Sequence, residues 1–228
     1  MNSTATPPLV SVVTRTMGRP ELSRALASIA GQGYRPLEIV LVDAGATGIA
    51  MKQHAGIPVR MVTGGPYDRP RAANAGLKAT RGAWIVFLDE DDEIAPNHIA
   101  QLLATATVAG LPVAYSQTQL VDANGPGRIF GGPFNREALL RSNYLTIHSV
   151  LFHRSLLADA RFDEELTTFE DWDFWLQLSS RTPFAFSGTP TAIYQAAAGA
   201  SGAGSGANLD RDAVLAQREK LMRKWAPR

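Results

Sequence analysis

Residues 84–93 read Trp-Ile-Val-Phe-Leu-Asp-Glu-Asp-Asp-Glu. An apolar run of this length, stopped by charge, suits a strand buried on both faces, as in a parallel sheet covered by helices. The five carboxylates that follow repel one another, and taken alone they read as a solvated surface run. Their place tells against that, because they cap the carboxyl end of a buried strand, where open α/β sheets put their ligands. Clustered carboxylates beside a diphosphate suit Mg2+ or Mn2+, which prefer hard oxygen donors. An EF-hand loop is disfavoured: its sixth position would be Ile94 rather than Gly, and its twelfth Ala100 rather than Glu.

Working outward, the first 110 residues alternate strand and helix. Residues 9–14 and 37–42 are apolar, β-branched runs, the second ending at Asp43, and residues 57–62 form a third, weaker strand. Pro20 opens a helix through Leu22, Ala25, Leu26 and Ile29, stopped by Gly31 and Gly33. Residues 70–80 read as a second helix, and Pro96 opens a third through Ile99, Leu102 and Leu103. This is the βαβ pattern of a mostly parallel sheet with helices on both faces. Beyond residue 110 the pattern loosens. Strands are expected at 113–118 and 147–152, a short helix capped by Asn135, and helices at 172–178 and 209–225. The run 197–207, built of Gly, Ala and Ser, reads as a flexible loop that orders over a bound ligand.

The whole chain fits this picture. Its 228 residues bury a core without staples, and the absence of Cys excludes disulfides, thiolate metal sites and a cysteine nucleophile. A net charge of +1 does not indicate a nucleic-acid binder. With no basic region before the first apolar run and no Cys, the expected location is cytoplasmic, and the sequon at Asn2 reads as chance. Dinucleotide-binding, P-loop, zincin and serine-hydrolase motifs are all missing.

Five segments, in order, carry a resemblance: VSVVTRTMGRPELSRALASI, LEIVLVDAG, RPRAANAGLKATRGAWIVFLDEDDEIAP, HSVLFHRSLL and FDEELTTFEDWDFWLQLS. Together they make the chain similar to the family 2 glycosyltransferases of the GT-A fold. The resemblance implies a single domain over residues 1–228. Residues 9–110 would be the nucleotide-sugar half, 111–196 a less regular acceptor and catalytic half, 197–208 the flexible loop and 209–228 a C-terminal helix. It implies an inverting, metal-dependent transfer from a nucleotide-diphosphate sugar to an acceptor hydroxyl.

Residue by residue, the resemblance places Thr14, Arg15, Asp43, Arg71, Asn74, Asp89 and Asp91 on the donor side, with Asp91 as metal ligand for Mg2+ or Mn2+. Asp92 is expected to order the loop. Asp171 matches the catalytic base, which takes the acceptor proton, and Glu170 and Asp173 would add like charge that favours its neutral form. His148, Glu170 and Trp172 are expected on the acceptor or diphosphate side. Each has a plainer reading: a strand-end turn for Asp43, helix surface for Arg71 and Asn74, core for the aromatics, a structural histidine for His148. Two departures from the family pattern touch the base pocket. Met17 stands where an aromatic plate is common, and Ala44 where a second Asp can hold uracil, which tells against UDP and leaves TDP and GDP sugars open. The acceptor is not identified by the sequence.

The basic C-terminal stretch, with six Lys or Arg against three Asp or Glu from Asp210 onward, either packs on the domain or makes a peripheral contact at the inner membrane face. Two rival readings are a non-catalytic nucleotide-sugar-binding module of the same fold and a sugar-nucleotide nucleotidyltransferase. The second lacks support, since no Gly cluster or Lys follows the first strand.

Overall fold

The computed structural model describes residues 6–196 and 210–226. The expected ligand-ordered loop at 197–207 lies outside the described residues.

The first half runs β1 (Val10–Thr16), α1 (Leu22–Ala30), β2 (Leu37–Asp43), β3 (Gln53–His54), β4 (Ile57–Val62), α2 (Arg69–Ala79), β5 (Trp84–Phe87), β6 (Glu93–Ile94) and α3 (His98–Ala109). The second half adds β7 (Val113–Asp122), β8 (Gly125–Phe130), α4 (Arg136–Arg141), β9 (Val150–His153), α5 (Glu170–Ser179), β10 (Ala185–Gln195) and α6 (Arg211–Trp225). One sheet carries the strands in the order β3-β4-β2-β1-β5-β9-β7-β10-β6, with β8 paired to β7. Pairing is parallel from β4 through β2 and β1 to β5. Past β5 the sheet is mixed: β9 runs antiparallel to both β5 and β7, while β10 is parallel to β7.

Strand alternation sorts the core into two layers. Val10 and Val12 of β1, Ile39 and Leu41 of β2, and Val86 of β5 pack with α1 and α3. Val13, Val40, Val42, Ile85 and Phe87 face the opposite way, onto α2 and α5. Gly76 lets α2 lie close on the sheet, since a Cβ there would stand 2.5 Å from Val13 Cγ1. Asn135 caps α4 as expected, its Oδ1 accepting from Ala138 N at 2.9 Å.

Two expectations change. His148 is not on a strand: Ile147–Ser149 form a 3-10 turn, and β9 begins only at Val150. The strand expected at 147–152 thus starts three residues later and runs on to His153. The long strand β10, with a shifted register around Pro190, has no counterpart in the expected elements. The apolar side of α6 packs on the domain through Leu221, Met222 and Trp225, the plainer of its two readings.

Candidate active site

The parallel register of β1 and β5 builds one side of the site. Val10 lies opposite Trp84 and Val13 opposite Phe87. Continuing the same offset brings Arg15 to Asp89 and Thr16 to Glu90. Arg15 and Asp89 form a bidentate pair, Nε–Oδ1 2.7 Å and Nη2–Oδ2 2.5 Å. Arg15 Nη1 also donates to Glu170 Oε1 at 3.3 Å and to the Arg69 carbonyl at 3.1 Å. Burial works against the Arg15 charge, but the pairing with Asp89 and Glu170 outweighs it and raises the Arg15 value. Burial likewise pushes Asp89 up, and Arg15 overrides it, so Asp89 sits below the ordinary carboxylate value.

Glu90 is buried and gathers the loop after β1. It accepts from Thr16 Oγ1 at 2.5 Å, Met17 N at 3.0 Å, Arg19 N at 3.1 Å and Arg19 Nε at 2.6 Å. Met17 is thereby held at the cleft edge, 54% exposed. Asp92 orders the acidic turn against β10, accepting from Gln195 N at 3.0 Å. His148 is fully buried, with Nδ1 3.1 Å from Asp92 Oδ2 but out of line for a hydrogen bond.

The opposite side comes from α5. Phe169, in the left-handed region at φ 67°, turns the chain sharply into the helix, so that Glu170 and Asp171 enter the cleft. Asp171 Oδ2 accepts from Asn143 Nδ2 at 3.2 Å, and Oδ1 from Trp172 N at 2.7 Å. Burial, then the repulsion of Glu170, pushes the Asp171 carboxyl up to about 7. That is near the value that suits a general base at neutral pH. The cleft between the two sides has a volume of about 540 Å³. Tyr67 and Ala44 close one end, joined by a hydrogen bond from Tyr67 N to Ala44 O at 2.9 Å. Arg128, Phe130 and Tyr194 form the wall contributed by the second half.

Of the residues expected from sequence, Arg15, Asp89, Asp91, His148, Glu170 and Asp171 line this one cleft. The others do not. Thr14 is fully buried in the layer beneath β1, its hydroxyl without a partner among the described residues. Asp43 lies just behind Ala44 and shapes the turn: Oδ1 accepts from Thr47 N and Oγ1 at 2.9 and 3.0 Å, and Oδ2 from Gly48 N at 2.9 Å. Burial pushes Asp43 up, and these bonds more than offset it, so its value falls below the ordinary one. Arg71 is exposed on the outer side of α2, 3.4 Å from both Asp68 and Glu164. The arginine of α2 that reaches the cleft is Arg69. Asn74 braces the chain at Phe162, donating to its carbonyl at 3.0 Å and accepting from its N–H at 2.9 Å. Trp172 is core, its Nε1 donating to the Leu139 carbonyl at 2.6 Å. Sequence reasoning missed Arg69, Asn143, the clamp by Glu90, and Tyr67.

A divalent cation fits the residues present. No group of three His, Cys, Asp or Glu among the described residues forms a protein cage. Mg2+ needs none, since it keeps waters and uses one or two carboxylates plus substrate phosphates. Asp91 lines the cleft and its Oδ2 accepts from Arg19 Nη1 at 3.3 Å, a carboxylate of the kind that such a cation uses beside substrate phosphates.

The sequence profile of the family described as Glycosyl transferase family 2 matches residues 11–156. The chain belongs to glycosyl transferase family 2. Among relatives of this family 2 chain, the succinoglycan biosynthesis protein ExoO of Rhizobium meliloti is 30% identical over 73% of the chain. The O-antigen biosynthesis protein RfbC of Myxococcus xanthus is 29% identical over 95% of it. The matched regions cover 54% of the first relative's length and 18% of the second's. Among solved structures, S. aureus TarS 1-349 in complex with UDP-GlcNAc superposes with a TM-score of 0.69 at 19% identity, covering 83% of this chain and 58% of that one. The mannosyltransferase PcManGT of Pyrobaculum calidifontis, in complex with GDP-Man and Mn2+, gives 0.60 at 16%, covering 86% and 59%. These likenesses establish the GT-A fold of the family 2 chain.

Proposed function

We propose that the protein is an inverting, metal-dependent glycosyltransferase, moving a sugar from a nucleotide-diphosphate sugar to an acceptor hydroxyl. The observation that carries this is Asp171, a carboxyl pushed up to about 7, facing across one cleft the acidic turn that ends β5. The nucleotide lies toward Ala44, Tyr67 and Met17, with Asp43 holding the turn behind it. Asp89 and Asp91 face the donor sugar and diphosphate, and Arg69 contributes positive charge on the same side. Asp91 holds Mg2+ or Mn2+, which when bound neutralises charge on the leaving diphosphate.

The acceptor hydroxyl lies against Asp171, whose orientation is fixed by Asn143 and the Trp172 N–H. Asp171 takes the hydroxyl proton as the oxygen bonds to the anomeric carbon from the face opposite the diphosphate, which inverts that centre. Arg15 matters indirectly: tied to Asp89 and Glu170, it links the donor turn to the helix of the base. The UDP-GlcNAc bound to TarS and the GDP-Man and Mn2+ bound to PcManGT support a nucleotide-sugar donor and a divalent metal. The acceptor is a glycan, a lipid-linked sugar or another hydroxyl compound. Among the described residues no helix is long and apolar enough to cross a membrane, and α6 is the segment through which a peripheral contact would run.

A thermal-shift panel of UDP, GDP and TDP sugars, with and without Mn2+, tests the reading, because ligands of the folded state raise the melting temperature. At least one nucleotide sugar is expected to stabilise the protein only when the metal is present. No stabilisation by any of them would contradict the proposal.

A further inference from the structure

We infer that the C-terminal helix α6 positions Asp171 by gripping α5 from behind, through Asp173. The inference rests on Asp171 being the base. Successive residues of an α-helix are turned by about 100°, so Asp171 and Asp173 stand about 200° apart around α5. Asp171 faces the cleft, and Asp173 faces the other way with no exposure. Asp173 Oδ1 accepts from Trp225 Nε1 at 2.8 Å. Its Oδ2 accepts from Lys224 Nζ at 3.0 Å and Gln177 Nε2 at 2.7 Å.

Two of these three donors come from the last turn of α6. A buried carboxylate without such partners is costly, so this contact decides how the first turn of α5 sits. The helix is itself anchored, since Leu221 is fully buried, Lys220 pairs with Glu165 at 2.6 Å and Lys224 with Asp163 at 2.7 Å. Glu170, Arg15, Arg69 and Asn143 act on Asp171 from the cleft side. Without α6, Asp173 has only Gln177. The first turn then loosens, and water reaches Asp171. Lys224 and Trp225 are therefore positioning residues.

The test uses the full chain with 13C-labelled Asp, the Asp171 carboxyl signal being assigned by its loss in Asp171→Asn. Its titration midpoint is followed in wild type, in Lys224→Met/Trp225→Phe, and in Lys224→Arg, which keeps the charge. The double variant is expected to lower the midpoint by about half a pH unit or more, toward the ordinary carboxylate value, and Lys224→Arg to leave it at the wild-type value. Turnover of a donor found by screening is expected to lose about tenfold in kcat, with donor KM changed less than about twofold. A folded double variant with an unmoved midpoint would overturn the inference, reducing α6 to a source of stability. The titration needs no substrate, so it decides this point even if no glycosyl transfer is found.

Discussion

As the proposed base, Asp171 is expected to set the pH dependence of the site. A base must be ionised, so activity is expected to rise with pH through a midpoint near 7, the value to which burial and Glu170 push this carboxyl. A pH–kcat profile checks this. The same shift acts on stability with a definite sign. The folded state holds the Asp171 proton at pH values where the unfolded chain has released it, so this group's stabilising contribution is lost as pH rises from the ordinary carboxylate value through about 7. Asp171→Asn has no charge to bury, so its denaturation free energy is expected to exceed wild type by on the order of 4 kcal/mol at about pH 8, by about a third of that at about pH 5, and by little at about pH 3. On the donor side, Asp91→Asn is expected to abolish the Mn2+-dependent part of nucleotide binding, measured by calorimetry with Mn2+ and with chelator. Glu90→Ala frees the loop of Thr16, Met17 and Arg19 that its carboxylate gathers. It is expected to weaken nucleotide binding about tenfold or more while the fold persists, as loss of charge-assisted hydrogen bonds implies.

At the scale of elements, close packing of α2 on the sheet sets where Arg69 and Tyr67 stand. Gly76→Ala puts a methyl 2.5 Å from Val13 Cγ1 and 3.1 Å from Val42 Cγ2. Chemical denaturation is expected to show a loss of about 1–3 kcal/mol, the usual cost of overpacking. This helix also shows how far the sequence could be read. The small residues Ala72, Ala73 and Gly76 mark its inner side, and one turn back from Ala73 is Arg69, not Arg71. The helix was legible, and so was its phase, but the motif match drew attention to Arg71, which is exposed outside the cleft lining. The strands β1, β2 and β5 were legible because both faces are buried and their apolar runs are continuous. Strand β10 was not, because Gly188 and Pro190 interrupt it and its pairing is set by β7, far away in sequence. Nor does anything local mark Asn143, which becomes significant only where the fold brings it to Asp171.

For the whole molecule, the cleft is a joint product of the two halves. The parallel first half supplies the acidic turn and the clamped loop, and the mixed second half supplies α5 and the wall of Phe130 and Tyr194. In the function proposed, its two carboxylate groups do separate work: Asp89 and Asp91 face the donor, and Asp171 faces the acceptor. That division is the central claim, and Asp171→Asn tests it most directly, since Asn keeps the shape and removes the proton acceptor. With a donor and acceptor found by screening, kcat is expected to fall about 10²–10⁴-fold while donor affinity, measured by calorimetry, stays within about twofold of wild type. A folded Asp171→Asn enzyme that keeps more than about a tenth of the wild-type kcat would contradict the account.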